Sequence, residues 1–380
     1  MNVNQQELKE KFLKAFQEQG FKYNPHVRPP ENDKETLRLV QQKSKDEQVQ
    51  IHKTFLKEGF SKIKKHLRSG TEINPEKIKL KLIEVKENSY EEVLFRWWNF
   101  MWWSMPYQRG YGRFMRFMLW DTEHNSPFGL IGLQSPVLKL SVRDNYLKLP
   151  KDELDIWVNR SMQAQRLGAL PPYNSLIGSK MVALASVSNE VRDAYRVKYD
   201  NVQTIIKNRK ISNDLLFTTT TSAFGRSSIY NRLKYNNELA AIPIGYTQGS
   251  GSFHIPEPLY LELLSFLEEQ GSNISRGWGN GPSRKLRLID KGLNLLGLRN
   301  CIYHNIKREF YIFPMVSNLH EVIENEATPN FYDRPFDKLF DFWLNRWALP
   351  RANRTAEWNT FDANEYIKNI EKKYNLNGKP

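Results

Sequence analysis

Residues 112–140 place the tightest limit on what this chain can fold into. Gly112 to Trp120 (GRFMRFMLW) is an aromatic and apolar run that reads as a strand. The polar Asp121 to Ser126 (DTEHNS) reads as a hairpin turn, and Phe128 to Leu140 (FGLIGLQSPVLKL) as the returning strand. A short amphipathic segment around Ile156 to Met162 follows, then an apolar run, Leu167 to Leu170, closed by Pro171 and Pro172. Ser175 to Tyr199 carries a helical stripe at Leu176, Met181, Leu184, Val187 and Val191. After it come a strand at Asp214 to Thr219, a helix expected from Ser227 to Tyr235, and a strand at Ile242 to Thr247. This order predicts an α/β fold, a mixed α+β core over about residues 90–256.

The flanks read as helical. In residues 1–89, Leu8, Phe12, Leu13 and Phe16 recur at helical spacing before Gly20. A second helical region opens with a cap from Asn32 or Asp33 and runs to Gly70. Lys62, Lys64, Lys65, His66 and Arg68 crowd its last turns, where they suit the negative end of a helix dipole. Residues 257–380 form a basic helical region, with helices at Leu259 to Gln270, Arg284 to Leu298 (with an interruption expected at Gly292) and Phe336 to Trp347. The expected organisation is therefore a helical N-terminal extension, the core and a helical C-terminal region.

Charge then narrows the partner. The chain has 380 residues and a formal net charge of +14, while 40% apolar and 13% aromatic residues supply a substantial core. Such a balance points to a polyanion, above all nucleic acid and DNA in particular; the alternative is an ordinary basic, solvated surface. Cys301 is the only cysteine, which excludes an intrachain disulfide and a multi-cysteine zinc site. The charged start resembles no secretory signal, and Phe95 to Met105 is short of the ~20 residues that a membrane span needs. A cytoplasmic setting with no membrane partner is the expectation.

Familiar catalytic motifs do not occur. The sequence has no G-x-x-x-x-G-K-[ST] loop, no H-E-x-x-H, no paired C-x-x-C and no G-x-S-x-G. Three stretches remain. In Thr218 to Arg232 (TTTTSAFGRSSIYNR), hydroxyls and an arginine meet an expected helix start, an arrangement that can hold an anion. Thr220, Thr221, Arg226, Ser227, Ser228, Asn231 and Arg232 are its candidate binding residues, with Ser222 or Tyr230 for proton transfer. In Pro171 to Lys180 (PPYNSLIGSK), Tyr173, Asn174 and Lys180 would face them across a central pocket. Plain helix initiation accounts for the second stretch equally well; in the first, a Ser227 cap and strand-forming threonines explain part of the pattern and leave the density of small polar groups to function. In Ile244 to His254 (IGYTQGSGSFH), glycines allow close backbone approach and His254 could serve as a base, although a hydrogen-bonded structural histidine is the commoner case. Arg143 and Asp144 suit a buried turn-fixing pair or substrate orientation. A metal-dependent nuclease or transposase-like enzyme using Asp121, Glu123, Asp144 or Asp214 ranks last among the readings, because these carboxylates lack the diagnostic spacing of a metal site, and no metal is expected.

Two clusters mix rings with cations: Trp97, Trp98, Trp102 and Trp103 with Arg96, Tyr107, Arg109 and Arg113, and Trp343, Arg346, Trp347, Arg351 and Arg354 with Arg284, Lys285 and Arg287 upstream. Such surfaces stack on unpaired bases or track phosphates; a core helix with its rings turned inward is the competing reading.

Over residues 95–355 the sequence resembles the DruA family, through LGALPPYNSLIGSKMVAL, NEVRDAYRVKY, TTTTSAFGRSSIYNRLKY, IGYTQGSGSFHI and FWLNRWALPRA in order, with Arg143, Asp144 and Tyr146 matching an arginine-aspartate-aromatic feature. The resemblance implies a role in Druantia antiphage defence beside a helicase-like partner, and supplies no chemistry. The element order also looks like a GNAT acyltransferase core, with Ser175 to Lys180 at the pyrophosphate loop of a coenzyme A thioester and Tyr230 as acid. Only Gly178 of that loop's usual glycines is present.

Overall fold

The computed structural model describes residues 4–102, 104–107, 110, 112–204, 207–275 and 283–376. The N-terminal stretch forms α1 (Gln5–Glu18), a small ribbon of β1 (Lys22–Tyr23) and β2 (Val27–Arg28), α2 (Lys34–Ile51), α3 (Lys53–His66), β3 (Leu80–Glu84) and α4 (Tyr90–Met101). The middle holds β4 (Phe114–Asp121), β5 (Ser126–Gln134), α5 (Ser141–Tyr146), α6 (Leu154–Asn159), β6 (Ser161–Ala169), α7 (Gly178–Ala185), α8 (Asn189–Lys198), β7 (Phe217–Thr221), β8 (Lys234–Tyr235), β9 (Glu238–Leu239) and β10 (Ile242–Tyr246). The remainder forms α9 (Glu257–Glu269), α10 (Arg284–Leu295), β11 (Glu309–Pro314), α11 (Leu319–Asn325), α12 (Phe336–Trp343), a π-helical turn at Leu344–Ala348, α13 (Leu349–Arg354) and α14 (Ala363–Tyr374). The class is α/β, as the alternation of runs predicts.

Seven strands make the sheet, in the order β10-β11-β7-β6-β5-β4-β3. Neighbours are antiparallel except β6 and β7, which run parallel over Ser161–Gln163 against Phe217–Thr219. Beyond that contact β6 stays with β5 to Ala169, while β7 stays with β11. The sheet thus draws β3 from the N-terminal stretch and β11 from the C-terminal one.

All nine residues of β5 are buried, because helices cover both faces. Met115, Phe117, Leu119, Tyr311 and Phe313 pack with α7, α8 and α12 on one face. On the other, Met118 and Leu130 meet α3, α4 and α14, while Phe217, Phe310 and Ile312 meet α5, α6 and α11. The residues of β4 and β11 alternate between these clusters as the period of a strand requires. A fourth cluster joins α1 and α2 to α9 and α10.

Several expectations change. The region from Asp33 to His66 divides at His52. Ser175–Tyr199 divides around Ser186–Ser188, with the Ser188 side chain capping α8. Helix α10 runs through Gly292, where a Cβ would lie 2.7 Å from Leu263 Cγ, so glycine there serves close packing of α9. No helix forms over Ser227–Tyr235. A turn leads instead into β8, and Arg232, Asn236 and Asn237 adopt positive φ of 58°, 48° and 65°, which a right-handed helix excludes.

Candidate nucleic-acid interface

The segment after β7 is held against the start of β11. Ser222 N donates to Glu309 O at 2.9 Å, and Glu309 N donates to Gly225 O at 2.9 Å. The Ser222 hydroxyl donates to Gly225 O and accepts from Glu309 N at 3.1 Å. Gly225 sits at a φ of 52°, and the chain reverses there. Ser227 Oγ then accepts from Ile229 N and Tyr230 N at 3.2 and 3.3 Å. The expected cap is real, but it closes a turn and not a helix. No helix dipole therefore acts on Arg226, which corrects the helix-start reading of this stretch.

This turn sorts its side chains. Phe224 and Tyr230 go inward, while Arg226, Ser228 and Arg232 face outward, with Thr221 and Ser227 half-buried. Arg226 donates to Asn231 Oδ1 at 2.9 Å. Opposite stands the start of α2, and the two walls enclose a groove of about 470 Å³ lined by Asn32, Asp33, Lys34 and Leu37 on one side and Phe224 to Ser228 and Asn231 on the other. Arg38 lies over the Phe224 ring, 5.8 Å from its centroid. Asp33, the groove's carboxylate, caps α2 by accepting from Glu35 N and Thr36 N at 2.9 and 3.0 Å, and its bonds with Thr36 hold it below the usual carboxylate range.

Behind the groove, Gly225 bridges to Arg308. Arg308 also exchanges backbone and hydroxyl hydrogen bonds with Thr247, so the Thr218–Arg232 stretch and the glycine-bearing loop come together at this arginine. Its Nε is enclosed without a partner, and burial pushes the guanidinium down to about 10, leaving it charged at neutral pH. Among the described residues none of Lys34, Arg38, Arg226 and Arg308 forms an ion pair. Sequence reading passes over Lys34 and Arg38 of α2 and Arg308 before β11, because no local motif marks them.

The other candidates have internal partners. Tyr230 is buried and donates to Leu167 O at 3.1 Å, and burial pushes its phenol well up. Tyr173 is buried and donates to Asp121 Oδ2 at 2.8 Å; the exposed Asn174 accepts from Ser175 N. Thr220 donates to Ala164 O at 3.0 Å. His254 is fully enclosed, its Nε2 2.6 Å from Cys301 O, and burial pushes it down to about 4. Arg143 binds Asp144 Oδ1 and the carbonyls of Val137 and Leu138, so the pair fixes its own turn. Lys180 lies 4.7 Å over the Trp347 ring, and no described contact joins it to Arg226.

Of the tryptophan cluster, Trp97 and Trp98 are core residues, while Trp103 and Arg109 lie outside the described residues. Trp343 is likewise buried. Asp121 binds Tyr173 and His124, Asp214 pairs with Arg196, and among the described residues no three acidic, histidine or cysteine side chains gather to hold a metal. Coenzyme A does not fit the start of α7. A Cβ on Gly178 would lie 2.6 Å from Tyr173 O and 2.9 Å from Ala169 Cβ and Phe128 Cζ, and Trp343 Nε1 donates to Ile177 O at 3.2 Å. Gly178 therefore serves internal packing where a pyrophosphate would need open backbone.

No helix among the described residues is long and apolar enough to cross a membrane. Comparison with known proteins gives one extended match: the family model for Druantia protein DruA covers residues 31–325. The Druantia protein DruA of Escherichia coli (strain UMEA 4076-1) is 33% identical over 384 residues, covering 98% of this chain and 95% of that protein. A 60-residue stretch is 37% identical to human cyclin-dependent kinase 2-associated protein 1, over 16% of this chain and 52% of that protein. No solved structure matches.

Proposed function

This chain belongs to the Druantia protein DruA family of antiphage defence, and from that premise we propose that it binds DNA through the groove between α2 and the Phe224–Asn231 turn. The observation that carries the reading is the meeting of Lys34 and Arg226 in the groove with Arg38 beside them over Phe224, three exposed cations without a described ion-pair partner, in a chain of net charge +14. Gathering three cations around one groove carboxylate, Asp33, is unfavourable in the free protein and favourable once phosphates stand between them. The flanking hydroxyls of Ser227 and Ser228 and the Asn231 amide can add neutral hydrogen bonds to phosphate oxygens. In the defence system the bound nucleic acid would be passed to, or held for, a helicase-like partner.

A salt titration of DNA binding tests this. Three phosphate contacts predict a slope of log Kobs against log salt of about −2 to −3 on duplex DNA, and Arg226→Gln should reduce it by about one. A slope near zero would end the phosphate-contact reading.

The parallel β6–β7 pair with α7 and α8 between them supports a GNAT-like origin for the core. Acyl transfer does not follow from it. The expected acid, Tyr230, spends its proton on Leu167 O, and the start of α7 is packed shut.

A further inference from the structure

A second set of cations, from α7 and the π-helical turn and without a described acidic partner, stands among aromatic rings contributed by β8, α12 and that turn. Tyr235 packs edge-on against Phe342 at 5.2 Å, and Phe342 packs edge-on against Trp347 at 5.2 Å, with both ring pairs crossing at 87°. All three rings are half-buried. Lys180 Nζ lies 4.7 Å over Trp347, and the Arg346 guanidinium is 5.9 Å from the Phe342 ring and 6.0 Å from Trp347.

The π-helical turn creates this arrangement. In an α-helix, residues five apart point about 140° away from each other. The wider turn over Leu344–Ala348 brings Phe342 and Trp347 into contact, while Trp343, their neighbour in sequence, is buried against Ile177. Such an insertion weakens a helix locally and recurs at functional positions.

Core packing alone leaves the cations unexplained. Lys180 is half-buried and sits beside Arg346, and burial and that neighbouring charge both hold its ammonium below its usual range. Neither Lys180 nor Arg346 forms an ion pair among the described residues. Two like charges flanking aromatic rings suit a ligand with a flat π-face and an anion a few ångströms away. A nucleotide of a single strand has both. A duplex offers the anion only, because its base faces are stacked on one another.

We propose that Tyr235, Phe342 and Trp347, with Lys180 and Arg346, form a stacking site for an unpaired base, Lys180 moving from the Trp347 ring to the neighbouring phosphate as the base arrives. The proposal rests on the nucleic-acid reading above and adds a preference for single strands. The test uses the full chain with an oligothymidylate and a duplex of equal length at one salt concentration. Trp347→Leu should weaken oligothymidylate binding about tenfold and leave duplex binding within about twofold. Trp347→Phe, which keeps a ring, should restore most of the loss.

Photocrosslinking of the unaltered chain to a 5-iodouracil oligonucleotide covers the case in which Trp347→Leu does not fold. Peptide mapping should place crosslinks on Tyr235, Phe342 or Trp347. Duplex binding with crosslinks confined to other residues, or equal losses on both oligonucleotides, would overturn the stacking site alone. Binding of neither oligonucleotide by the unaltered chain would overturn this site and the groove reading together.

Discussion

At the scale of single residues, burial decides what a side chain can do. Ser222, Tyr230 and His254 have catalytic chemistry, yet each is enclosed and has a backbone carbonyl within hydrogen-bond reach. Arg226, an anion-binding candidate already in the sequence, and Lys34, which no motif marks, stand open in the groove. The histidines carry a separate consequence. Burial pushes His254 down to about 4, and His304 lower still, with His254 and Arg308 adding to the effect. The unfolded chain binds these protons first, near its ordinary histidine value of about 6.5, while the native state refuses them. Their stabilising contribution is therefore complete above that value and is lost as pH falls towards 4 and below. Each histidine should cost about 1.4 kcal/mol per pH unit within its window. Urea unfolding between pH 7 and 4.5 should show this decline, and His254→Gln, which keeps a donor for Cys301 O without titrating, should flatten it by about one proton. A slope unchanged in that variant would assign the decline elsewhere.

At the scale of elements, local sequence was readable where one signal dominated. The polar Asp121–Ser126 turn between apolar runs became the β4–β5 hairpin, and Asp33 became the cap of α2. Reading failed where a true signal had two outcomes. Ser227 does accept from the residues that follow it, but asparagines and Arg232 at positive φ take the chain out of helical space within one turn. Asp33 itself has opposing roles, since its carboxylate steadies α2 and lowers the potential of a groove whose other charged lining residues are Lys34 and Arg226. Serine caps a helix about as well as aspartate. Asp33→Ser should therefore leave the unfolding midpoint nearly unchanged and tighten duplex binding roughly twofold to fivefold at low salt, through the removed repulsion. Weaker binding would show that the carboxylate belongs to the recognition surface.

At the scale of the whole molecule, the fold rests on pairings that no local window contains. The run EFYIFP lies in a basic, mostly helical tail, yet as β11 it pairs with β7 and β10. The groove is equally non-local, since α2 and the Phe224–Asn231 turn come from distant parts of the chain. Composition announced the positive charge; its gathering depends on tertiary structure. The same pairings bear on whether residues 90–256 form a separable core. Without β11, β10 loses its only partner and β7 keeps only its three-residue contact with β6. The α7 face would lose α12, and β4 would lose its pairing with β3. Each loss exposes residues of the fragment that are now buried, such as Tyr230, which packs on Tyr311 and Phe313, and Phe128, which packs on Trp343. A fragment of residues 90–256 should accordingly lack a cooperative thermal transition and near-ultraviolet circular dichroism, and limited proteolysis of the full chain should yield no stable product with those ends. A fragment that melts cooperatively would show the core to be self-sufficient, with β11 an addition to a sheet already stable without it.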